Sequence, residues 1–129
     1  MIRLNADDIL SLHEKMCKKT GGSSGIRDIG ALESAIYHAY ATFEGNDLYT
    51  TIEEKIARQV YGIIRNHPFL DGNKRTGLFV MLILLELNNI QLEFSQSELV
   101  MLGTGIAEGK VDPQYIKKMD HRAHRRIIF

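Results

Sequence analysis

The chain has 129 residues, 44% hydrophobic and 25% charged, with 16 basic residues against 16 acidic ones. That length and composition are those of one globular domain, residues 1–129, able to bury a core of its own. A formal net charge of zero argues against function through a broad electrostatic grip on nucleic acid or on a membrane surface.

Helical periodicity runs through nearly the whole sequence. A first helix is predicted from about Ala6 to Lys18, capped by Asn5 or Asp7, with Ile9, Leu12 and Met16 at helical spacing and Gly21-Gly22 as the stop. The loop Gly21-Gly22-Ser23-Ser24-Gly25 is the most flexible stretch by composition. Asp28 can cap a second helix bearing Leu32, Ala35, Ile36 and Ala39, which Gly45-Asn46-Asp47 breaks. Thr51 and Glu54 form a capping box for a third helix with Ile56, Val60, Ile63 and Ile64 on one face. A fourth, about Asn73 to Asn88, is apolar on every side from Leu78 to Leu85, the pattern of a buried central helix. Ile90 to Phe94 alternates like a short extended piece. Ser95 and Glu98 form a second capping box ahead of Leu99, Leu102 and Ile106. Asp112-Pro113 opens a last helix with Tyr115, Ile116 and Met119.

Cys17 is the single cysteine, so no disulfide can form within the chain, and a reducing compartment fits. Acids arrive early in M-I-R-L-N-A-D-D, unlike a signal peptide. The apolar run from Leu78 to Leu85 is well short of the roughly 20 residues that span a bilayer. A cytoplasmic protein with no membrane partner is expected. Lys117, Lys118, Arg122, Arg125 and Arg126 make the last stretch basic, as on a solvated helix and tail. His121 and His124 can share a helix face, but no acid or cysteine completes a metal site.

Residues 66–77 read N-H-P-F-L-D-G-N-K-R-T-G. His67 shares the apolar face of the third helix, where a lone histidine is usually part of the core. Pro68, however, disfavours the α conformation at His67, so the helix ends there and the imidazole sits beside a turn, able to take up a proton. Phe69 anchors the loop in the core. Asp71 reads either as an ordinary N-cap or as a hard oxygen ligand for Mg²⁺. Lys74 and Arg75 fall in the first turn of the fourth helix, the end that disfavours cations. Gly72, Asn73 and the N–H groups that follow make an anion site there, which the two cations complete. Gly77 inside the helix calls for close approach of another element or a ligand. The spacing is not that of a Walker P-loop. A base, a metal ligand and an anion cradle thus lie within one short segment, the makings of a phosphate-transfer site.

His67-Pro68-Phe69-Leu70-Asp71-Gly72-Asn73-Lys74-Arg75-Thr76 resembles the signature of the Fic/Doc family, in its Doc form. Lys74 stands where the Fic pattern has glycine, and Leu78 where it has a second arginine; Gly72 is Fic-like. Gly25-Ile26-Arg27-Asp28-Ile29-Gly30 with Leu32-Glu33-Ser34-Ala35, and Ser97-Glu98-Leu99 with Gly105-Ile106-Ala107-Glu108-Gly109, extend the likeness over nearly the whole chain. The resemblance implies an all-α bundle of about six helices around a buried central helix. It implies the toxin of a toxin–antitoxin pair: a kinase that uses ATP and Mg²⁺ to phosphorylate a threonine of translation elongation factor Tu, stopping translation and growth. An antitoxin whose disordered segment folds into a groove would neutralise it, and the basic C-terminal residues could dock an acidic part of that antitoxin. In the implied site His67 is the general base and Asp71 holds Mg²⁺. Gly72, Asn73, Lys74 and Arg75 bind phosphate, the two cations also stabilising transition-state charge. The missing second arginine favours this kinase over a Fic-type adenylyltransferase. Intact His67, Asp71, Lys74 and Arg75 argue against a catalytically idle interaction module. No direct nucleic-acid binding is expected.

Overall fold

A computed structural model describes residues 1–90 and 94–110. The predicted last helix from Asp112, the basic residues Lys117 to Arg126, His121 and His124, and the middle of the Ile90–Phe94 stretch lie outside the described residues. Among the described residues there are five helices and one hairpin: α1 (Ala6–Thr20), α2 (Ile29–Ala39), β1 (Thr42–Phe43), β2 (Asn46–Asp47), α3 (Ile52–Asn66), α4 (Asn73–Leu87) and α5 (Gln96–Ala107). The architecture is all-α, as expected. Helix α2 ends at Ala39, ahead of the expected break at Gly45, which is instead the tight reversal of the hairpin, with Glu44 and Gly45 both at positive φ and Thr42 paired to Asp47.

Local capping chemistry sets most helix boundaries. Asn5 and Ser95 form full capping boxes with Asp8 and Glu98, and Asp28 caps α2 by accepting from Ala31 N–H. The box expected at Thr51 is half formed. Thr51 accepts from Glu54 N–H at 3.1 Å, but the Glu54 carboxylate accepts from Thr50 N–H instead of from Thr51.

The buried central helix is α3. Its Ile56, Val60, Ile63 and Ile64 are fully buried, and α2, α4 and α5 all pack on it. Helix α4, expected to be buried all round, is not: Val80, Met81, Leu84 and Leu85 enter the core, while Phe79 is 45% exposed. Its second apolar side, with Leu78, Phe79 and Leu82, faces a cleft shared with α5. Apolar residues on every side therefore mark a helix with a core on one side and a groove on the other. Arg65 fixes that groove's far wall by donating to the carbonyls of Ile106 and Ala107 at the end of α5. No described helix is long and apolar enough to cross a membrane.

Gly77 is explained by the approach of α3 to α4. A Cβ there would lie 2.8 Å from Ile64 Cγ1 and 3.5 Å from the Val60 carbonyl oxygen. Alanine would gain up to ~1 kcal/mol of helix propensity, but overpacking a close-packed core costs about 1–3 kcal/mol. Gly77→Ala is therefore expected to lower unfolding stability by about 1 kcal/mol, read as an earlier urea midpoint at unchanged slope. A later midpoint would show that the two helices can move apart freely.

Candidate active site

The loop between α3 and α4 is built to be rigid. Helix α3 ends at Asn66 and His67 takes a left-handed C-cap conformation, φ 50 and ψ 57, in keeping with the α conformation that Pro68 denies it. Residues 25–28 then zip against the loop. Leu70 N–H donates to the Gly25 carbonyl at 3.0 Å, and the N–H groups of Arg27 and Asp28 both donate to the Pro68 carbonyl. Ile26 and Phe69 form an isolated antiparallel bridge. The Arg27 guanidinium donates to the carbonyls of His67 at 2.5 Å and Asn66 at 2.6 Å. A cation thus satisfies carbonyl oxygens at the negative end of α3 and pins the backbone of His67.

Asn73 locks the loop from the other side. Its Oδ1 accepts from Phe69 N–H at 2.9 Å and its Nδ2 donates to the Phe69 carbonyl at 3.0 Å. Those two bonds fix which way the amide points. The second amide hydrogen is then directed at Nδ1 of His67, 3.3 Å away. In this arrangement the neutral imidazole carries its proton on Nε2. The residue is exposed, so the imidazole has room to turn off Asn73, as the other tautomer requires because its Nδ1–H would otherwise face that amide N–H. Phe69 is buried as expected.

Asp71 is not the N-cap of α4. That place belongs to Gly72, in the left-handed region at φ 78 and ψ 22, where a glycine has no steric penalty. Asp71 turns its Oδ1 to accept from Gly72 N–H at 2.8 Å. Its Oδ2 makes no hydrogen bond among the described residues. Its backbone carbonyl accepts from Nε2 of His13.

The consequence is an open helix end. Helices α1, α2, α3 and α5 all have a side-chain cap. Helix α4 has none, and no acid in its first turn. Lys74 and Arg75 stand at that end, exposed, and neither forms an ion pair or side-chain hydrogen bond among the described residues. Unpaired N–H groups, the positive dipole end and two uncompensated cations therefore converge. They open onto a cleft of about 1090 Å³ whose other walls come from residues 20–22 and from α5, including Gln96 and Thr104. Such a volume admits a small-molecule ligand. His67, Asp71, Gly72, Asn73, Lys74 and Arg75 all line it, so the residues singled out by the motif are brought together. Two supporting residues carried no such signal in the sequence: Arg27, in the segment 25–30, and His13, which follows Ile9 and precedes Cys17 by one helical repeat on the buried face of α1.

The geometry defines a helical bundle that presents an uncapped, cation-flanked helix N-terminus to a cleft. The chain belongs to the Fic/Doc family: it matches the family over residues 3–85. It is 31% identical over 111 residues to the protein of Escherichia phage P1 named Protein kinase doc, covering 86% of each chain. It is 38% identical over 72 residues to Toxin Doc of Mycolicibacterium smegmatis, 56% of this chain and 55% of that relative's length.

Proposed function

We propose that the protein is the toxin of a toxin–antitoxin pair and acts as a protein kinase, moving the γ-phosphoryl group of ATP to a threonine hydroxyl of elongation factor Tu. The observation that carries the reading is the uncapped start of α4 with Lys74 and Arg75 unpaired beside Asp71, an arrangement made for polyphosphate. The names of the relatives, Toxin Doc and Protein kinase doc, agree with it.

Mg²⁺ fits the donor set. Among the described residues no group of three or more histidines, cysteines or acids gathers to hold a metal. Mg²⁺ does not require one, since it keeps waters and binds through one or two carboxylates plus substrate phosphates. Asp71, with Oδ2 unengaged at the cleft, would hold it, and when bound the ion would neutralise charge on the phosphates. The protein groups do the rest. The N–H groups at the start of α4 with Lys74 and Arg75 hold the phosphates and stabilise charge as the γ-phosphorus leaves the bridging oxygen. The threonine Oγ forms the new bond to phosphorus. Its proton passes to His67, at Nε2 in the tautomer protonated on Nδ1, and ADP leaves with the electron pair of the broken bond. Leu78, where a second arginine would grip further phosphate, favours transfer of phosphate over AMP. An antitoxin segment would lie in the groove between α4 and α5, where Phe79 and Val100 are exposed.

Intact-mass spectrometry of elongation factor Tu after incubation with the protein, ATP and Mg²⁺ tests this directly. One added phosphate is expected. One added AMP would replace the kinase by an adenylyltransferase, and an unmodified factor would remove it as the target.

A further inference from the structure

Asp71 is flanked by two residues outside the motif. The first is His13, 1% exposed. Its Nε2 lies 2.8 Å from the Asp71 carbonyl oxygen, and a carbonyl only accepts, so the ring donates from Nε2–H. The same ring stacks on Phe69, centroids 3.8 Å apart and planes 9° from parallel. One imidazole from α1 therefore holds the loop on both sides of Leu70, by its face at Phe69 and by its N–H at Asp71. An apolar side chain could supply the stacking but not the hydrogen bond.

The second is Gly22, in the loop that composition marks as flexible. A Cβ there would lie 2.9 Å from Asp71 Oδ2 and 3.8 Å from its Cγ. Gly22 is not among the glycines at positive φ, so no turn requires it. A side chain there would push the Asp71 carboxylate, the flexible end of that side chain, out of its place. The Cys17 thiol donates to the Ser23 carbonyl at 3.3 Å, tying this loop back to the helix that carries His13.

We propose that His13 and Gly22 are positioning residues for the Asp71 carboxylate. His13 fixes the backbone from which the carboxylate projects, and Gly22 leaves the space in which Oδ2 stands ready for a Mg²⁺–phosphate ligand. The assignment depends on Asp71 being the Mg²⁺ ligand proposed above. Partners that orient a metal ligand typically carry 10–100-fold in metal affinity. Their loss acts on the metal-dependent part of nucleotide binding and spares the part due to the helix end and its cations.

The test is calorimetric titration of the full chain with the non-hydrolysable β,γ-imido analogue of ATP, in Mg²⁺ and again in chelator. Asp71→Asn is the reference and is expected to abolish most of the tightening that Mg²⁺ gives. Gly22→Ala and His13→Phe, the latter keeping the stack without the donor, are expected to cut that tightening by roughly 10-fold or more at unchanged metal-free affinity. His13→Gln, which restores a donor, is expected to recover part of it. Wild-type tightening in folded Gly22→Ala and His13→Phe, with Asp71→Asn defective, overturns the positioning roles alone. Equal losses with and without Mg²⁺ overturn them too, because they would show general damage to the cleft. Full tightening in Asp71→Asn removes the metal ligand itself and the proposal with it. Should His13→Phe fail to fold, Gly22→Ala decides, since Gly22 is not among the glycines at positive φ.

Discussion

Replacement of His67 is expected to lower phosphoryl transfer by roughly 10²–10⁴-fold, the range a general base contributes, while nucleotide affinity stays within about twofold. The split follows from geometry. Phosphate binding is built from the start of α4, Lys74 and Arg75, whereas His67 ends the preceding helix and among the described residues its ring bonds only Asn73. Alanine alone is a poor test, because His67 sits at φ 50, in the left-handed region that histidine occupies more readily than alanine. Asparagine tolerates that region better. His67→Asn should therefore unfold close to wild type yet transfer as poorly as His67→Ala. Single-turnover transfer beside nucleotide titration separates the two effects. Substantial activity in His67→Asn would place the base elsewhere. A parallel fall in nucleotide affinity would mean that the imidazole binds phosphate instead of taking a proton.

The features legible in the sequence were those set by neighbours a few residues apart. Asn5 with Asp8 and Ser95 with Glu98 are three-residue rules, and both boxes formed. Pro68 stopped α3 because its ring acts on the residue just before it. Gly77 was readable as a close approach because a glycine inside a helix needs a reason, though its partner, Ile64, was not. The misreadings came where a local rule had a competitor. Of the two readings of Asp71, the cap is the one that fails, because the left-handed turn at Gly72 takes the capping place and leaves the carboxylate for other use. The apolar surface of α4 looked like all-round burial, and only the position of α5 shows that one side lines a cleft. His13 and Arg27 carried no local signal. Their partners Asp71 and His67 are 58 and 40 residues away, and such pairings exist only once the helices have packed.

Neutralising Lys74 and Arg75 together, as Lys74→Gln with Arg75→Gln, is expected to move stability and binding in opposite directions. Both cations stand at the positive end of α4 with no acid in its first turn and no ion pair among the described residues. Without ligand they are unfavourable by a few tenths of a kcal/mol each, so the double variant should melt slightly later than wild type. With ligand they form charge-assisted bonds to phosphate, stronger than neutral ones and about 1.5–3 kcal/mol apiece. Nucleotide affinity is therefore expected to fall by roughly 10²-fold or more. Melting curves with and without ATP analogue read both effects at once. Wild type should gain stability in proportion to ligand occupancy, and the variant should not. Salt gives an independent check, since screening weakens exposed charge interactions. Raising ionic strength should erode wild-type binding more than the variant's. A double variant that loses stability in the absence of ligand would show that the two cations have unseen structural partners. One that binds as tightly as wild type would leave the uncapped N–H groups as the whole anion site. The predicted pairing of a small penalty in the free protein with a large gain in the bound one is what distinguishes a helix end shaped for an anion from one that merely lacks a cap.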